Sequence, residues 1–141
     1  MKFFLLFFSL WMSAGINGQE ATKNNDLRKH FNLFLIKDMQ SKEQITYKMS
    51  SSKSGQFNFT MESGQNILNK KKINSVDAQK MDDLFVDKFI SFKYLMKEKS
   101  KKKCPELFYL NLRGEELIIC KDEREKIVEM KALIEKMKVV F

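Results

Sequence analysis

The chain has 141 residues, 43% of them hydrophobic and 31% charged, with 26 lysines and arginines against 18 aspartates and glutamates for a formal net charge of +8. That length suits one domain able to bury a core. Two cysteines and a single histidine are too few for a four-ligand zinc site.

Residues 1–18 read as a secretory leader. Lys2 supplies the positive start, Phe3 to Met12 is an apolar run broken only by Ser9, and Ser13-Ala14-Gly15 offers small residues to a peptidase. Cleavage after Gly15 fits better than after Gly18, which would place Ile16 at a small-residue position. The run falls short of the roughly 20 apolar residues a membrane-spanning helix needs, and no later stretch approaches that length. The expected product is exported, secreted or periplasmic, with residues 19–141 as a single domain and no transmembrane segment after cleavage.

Phe31 to Ile36 is expected to be a strand, the alternative being the last turns of a helix capped by Asn25 or Asp26. Ile45, Tyr47 and Met49 alternate with polar residues, and so do Phe57, Phe59 and Met61 after a Ser/Gly-rich stretch, which predicts a hairpin with one buried face. The sequon Asn58-Phe59-Thr60 lies on its outward side. Ser63-Gly64 then turns the chain into a third strand from Ile67 to Ile73.

Ser75 is the expected N-cap of a helix running to about Met96. Met81, Phe85, Phe89, Phe92 and Met96 form its apolar stripe, widened by Ala78, Leu84 and Leu95, while Lys80, Asp82, Asp83, Asp87 and Ser91 lie elsewhere. Lys88 falls inside the stripe, where its stem packs and its ammonium reaches water, or where it enters a buried ion pair. After Pro105, segments 107–112 and 116–120 flank Arg113-Gly114-Glu115 as a second hairpin. A last helix from about Asp122 to Val139 turns Ile127, Met130, Ile134, Met137 and Phe141 inward. The order predicts an α+β fold: an antiparallel sheet of five or six strands packed on one face by two amphipathic helices.

Cys104 and Cys120 both follow the leader, and an even pair in an oxidising compartment reads as one disulfide. With Arg113 and Gly114 as the turn, residue 120 is expected opposite residue 107, with Cys104 just beyond the hairpin's base. The spacing is not the Cys-x-x-Cys of a catalytic dithiol.

No constellation for catalysis is found. His30 would have to serve alone as a base, Asp83 and Asp87 share a helix face as solvated carboxylates do, Glu115-Glu116 sit at a hairpin tip, and no phosphate-cradling glycine loop occurs. Neither an enzyme nor a cofactor nor a metal is expected.

The charge is unevenly placed. Without Lys2 the remaining excess falls entirely in two clusters, Lys70, Lys71 and Lys72 and then Lys97, Lys99, Lys101, Lys102 and Lys103 less the intervening Glu98, which border the same helix. Lys70 and Lys72 are expected on one face of their strand and Lys71 on the other, where edge lysines would also discourage aggregation. No aromatic residue interrupts either cluster, so nucleic acid is a poor fit. Two readings remain. The first is a small exported non-enzymatic module contacting an anionic surface, acidic polysaccharide or lipid headgroups, through the lysines. The second is a protein-binding module or inhibitor using the disulfide-braced loop 97–104 or the hairpin tip 113–116.

Overall fold

A computed structural model describes residues 32–40, 42–96 and 104–139. Residues 1–18, expected as a leader, and His30, Phe31 and Phe141 lie outside the described residues. Period-two alternation yields the hairpin it predicts, as two strands of a four-strand meander: β1 (Asn32–Asp38), β2 (Ile45–Ser51), β3 (Phe57–Ser63) and β4 (Asn66–Ile73). The helix α1 (Ser75–Met96) then carries the chain to β5 (Glu106–Leu112) and β6 (Glu115–Cys120), and α2 (Arg124–Lys138) follows. The sheet order is β4-β3-β2-β1-β5-β6, and every neighbouring pair is antiparallel.

One face of the sheet carries the core. Phe34 and Ile36 of β1, Tyr47 and Met49 of β2, Phe57 and Phe59 of β3, and Phe108 and Leu110 of β5 point there. Both helices pack on it. Phe85 of α1 stacks on Phe34 with ring centroids 4.5 Å apart, and Met130, Leu133, Ile134 and Met137 of α2 enter the same cluster. Burying each such side chain contributes roughly 1.5–3 kcal/mol, which makes this aromatic layer the main stabilising feature. Between the helices Lys88 Nζ meets Glu129 Oε2 at 2.6 Å, with the two side chains 33% and 46% exposed. Lys88 therefore packs its stem along α1 and forms an interhelical pair near the surface rather than a buried one.

Local details depart from the sequence reading in physically instructive ways. The N-cap of α1 is Asn74, not Ser75: its Oδ1 accepts the Asp77 N–H at 2.8 Å while its Nδ2 donates to Asp77 Oδ2 at 2.8 Å. Leu84 and Leu95 do not widen the buried stripe; both are exposed, whereas Asp82, placed outside it, is 2% exposed. In α2 the stripe includes Leu133, and the helix begins at Arg124, where Glu123 Oε2 accepts the Cys120 N–H at 2.9 Å. A bulge between Glu106 and Phe108 puts Cys120 opposite Glu106 instead of residue 107. That shift carries Cys120 toward Cys104, and the two form a disulfide with Cα atoms 5.7 Å apart.

Tyr47 is 2% exposed at the end of the core. Its pKa is raised chiefly by burial, against the opposing charge of Lys138. A phenol that holds its proton more tightly in the folded chain leaves stability intact below the unfolded tyrosine value of about 10 and erodes it above. Lys138, raised mainly by its hydrogen bond to Glu135, acts in the same direction. Denaturant titrations across the alkaline range are thus expected to show stability falling above about pH 10, and Tyr47→Phe to flatten part of that fall. An equal fall in the variant would assign it elsewhere.

Candidate functional site

Among the described residues no element covers the other face of the sheet. Strand register decides what that face displays. Lys70, Thr60 and Lys48 are partners along one row, which continues through Leu35, Asn111 and Glu116. Lys72, Asn58 and Ser50 form the row on one side of it. Glu62, Thr46, Lys37, Tyr109 and Ile118 form the row on the other.

The face is mainly basic toward β4, with Glu62 on β3 as an acidic exception, and acidic toward β6, where Glu116 stands and Glu106 pairs with Cys120. Lys37, Lys70 and Lys72 are exposed and Lys48 is half-buried. Thr60, flanked by Lys48 and Lys70, is only 7% exposed, as expected where long lysine stems lie along a sheet. Its hydroxyl is 3.5 Å from the Lys48 carbonyl and 3.4 Å from Glu62 Oε1.

Tyr109 is the one aromatic residue that the register places among these rows, and Lys37 Nζ lies 5.4 Å from its ring centroid. Its hydroxyl donates to Glu116 Oε1 at 2.7 Å and accepts from Asn111 Nδ2 at 3.3 Å. The bond to Glu116 raises the phenol pKa, because ionisation would forfeit the donated proton, while Asn111 pulls the other way.

The first sequence cluster divides between the two faces of the sheet. Lys70 and Lys72 lie on the open face, as their alternation predicts, and Lys71, opposite Phe59, lies on the helix side. Lys97, Lys99, Lys101, Lys102 and Lys103 lie outside the described residues. Two members of the open face, Lys48 and Lys37, escaped sequence reading. Lys48 occupies an outward position of an alternating strand, a signal that was present; its nearness to Lys70 depends on strand order, which was not.

Several charged groups elsewhere have local partners. Arg113 Nη2 meets Asp82 Oδ2 at 2.6 Å, Lys93 Nζ meets Glu115 Oε2 at 2.6 Å, and Asp83 accepts from Gln79 Nε2. Among the described residues no group of histidine, cysteine or acidic side chains could hold a metal ion, and no helix is long and apolar enough to cross a membrane. Comparison with protein families, curated proteins and solved structures finds no match.

Proposed function

We propose that the chain is a non-enzymatic binding module that contacts an anionic surface through the open face of its sheet. The observation that carries this reading is the gathering of lysines from β4, β2 and β1 on the face opposite the helices. Like charges on one side of a small domain attract polyanions and raise encounter rates, an effect that salt weakens. The leader-like residues 1–18 favour an exported setting, in which cell-surface and extracellular polyanions are the available partners.

The hairpin tip supports a protein-binding reading less well. Arg113, Glu115 and Glu116 are each held by a partner within the chain, so a protein cleft could engage them only in competition with those contacts.

Lys70→Gln/Lys72→Gln is expected to elute from immobilised heparin at lower salt than a control pair on the helices, Lys80→Gln/Lys131→Gln. Folding should be retained in both, because surface substitutions shift stability by about 0.5 kcal/mol or less. Equal losses would reduce the face to ordinary solubilising charge. Aggregation of the β4 variant with its fold intact would instead assign Lys70 and Lys72 to edge protection.

A further inference from the structure

The spacing of the lysines points to a class of ligand. Lys70 and Lys48 are separated by the whole of β3, so at about 4.8 Å per strand their Cα atoms stand roughly 9.6 Å apart across the sheet. Lys37 follows diagonally on the next strand, roughly 7–8 Å further on. These positions form a track across the strands instead of a ring around one point. A single headgroup held by two of them leaves the others unmatched, whereas a chain with anionic groups repeated along its length meets all of them.

Hydrogen-bonding side chains line the track. Asn58 lies beside Lys72 with Ser50 beyond it in the same row, and Thr46 lies beside Lys37. Their amide and hydroxyl groups suit a hydroxyl-rich polymer. The face is a poor base-stacking platform, because its aromatic ring, Tyr109, is already covered by the Lys37 ammonium. Nor is it built to enter a bilayer: among the described residues, apart from Ile67 and Leu68 on β4, the exposed large hydrophobic side chains belong to α1, α2 and Val139.

We infer that the ligand of the open face is a linear acidic polysaccharide lying across the strands from β4 toward β1, an inference that rests on the anionic-surface reading above. Its negative groups engage Lys72, Lys70, Lys48 and Lys37 in turn, and Glu116 on β6 sets the far limit of the track. Binding therefore depends on ligand length, since a chain too short to pass β3 reaches only the β4 lysines.

The test measures affinities of the chain for size-defined heparin oligosaccharides, for vesicles of phosphatidylglycerol in phosphatidylcholine, and for poly(dT), at several salt concentrations. Affinity is expected to climb from disaccharide to octasaccharide and then level off. Lys48→Gln and Lys37→Gln should each weaken octasaccharide binding about fivefold, the weight of one lysine against a densely charged surface, while barely changing disaccharide binding. Lys37 is exposed, so its variant carries the test even if Lys48→Gln folds poorly. Octasaccharide binding unaltered in both variants but lost in Lys70→Gln/Lys72→Gln would overturn the track and leave the anionic-surface reading standing on β4 alone. Tighter binding to vesicles or to poly(dT) than to the octasaccharide would overturn the polysaccharide assignment in favour of that ligand. Losses no greater than those of the helix control would overturn both the track and the anionic-surface reading.

Discussion

Replacing Arg113 with alanine is expected to lower stability by about 3 kcal/mol, read as a drop in the urea midpoint with little change in slope. Arg113 Nη2 lies 2.6 Å from Asp82 Oδ2, and the two side chains are 24% and 3% exposed. Asp82 stands on α1 and is 2% exposed, so its carboxylate cannot be rehydrated without local opening of the fold. The pair also offsets a local cost, because Arg113 adopts φ 49°, a left-handed conformation that disfavours a side-chain-bearing residue by roughly 1–2 kcal/mol. With Gly114 at φ 93°, it makes the tight turn that joins β5 to β6. Removing both charges should be milder than removing one, since apolar replacement of a buried pair is often neutral. Asp82→Leu/Arg113→Met is therefore expected to recover much of the loss. A deficit below about 1 kcal/mol in Arg113→Ala would mean that water already reaches the pair, as at exposed ion pairs.

Opening the disulfide is expected to have an effect of similar size. Cys104 and Cys120 are separated by 16 positions, and closing such a loop restricts the unfolded chain by about 3 kcal/mol on a chain-entropy argument. Cys104→Ser and Cys120→Ser should lose comparable stability, because either one opens the same loop. Intact-mass analysis of the native protein should show one intramolecular bond, and labelling of two free thiols in folded material would contradict it. The bond lies at the base of the β5–β6 hairpin, where the Lys121 N–H also donates to the Pro105 carbonyl at 3.0 Å. It leads directly into α2, whose preceding residue Glu123 receives the Cys120 N–H. Reduction is thus expected to loosen α2 together with the hairpin, visible as faster amide exchange at Met130 and Leu133.

Strand alternation and helix period made most of this architecture legible. Tyr47, Met49, Phe57 and Phe59 show the sheet's buried face, and Phe85, Phe89 and Phe92 show the packing face of α1. Asp82 was not legible because the Arg113 that compensates its burial lies far along the chain, and one-dimensional periodicity holds no trace of that meeting. The Cys120 register was missed by one residue because a bulge obeys packing at Phe108 more than local composition. The candidate site was half legible for a related reason. Lys70 and Lys72 announce themselves as a run, but Lys48 and Lys37 join them only through the order in which strands pair, a property of the whole sheet.

That order has a consequence for the chain as it is synthesised. β1 is an interior strand of the finished sheet, yet its second neighbour, β5, is encoded roughly 70 residues downstream, beyond the meander and α1. Until the ribosome has passed Leu112, the newly made β1 has one hydrogen-bonded edge and one bare edge of unpaired backbone groups along the apolar stretch Leu33, Phe34, Leu35 and Ile36. β4, one edge of the finished sheet, bears three lysines and a bulge against its neighbour, while β1, the temporary edge, has an irregularity near Asn32 but carries an uncharged apolar stretch from Leu33 to Ile36. The segment most exposed to strand-to-strand capture by another copy is therefore the one that the native structure hides best, and the hazard ends when β5 arrives.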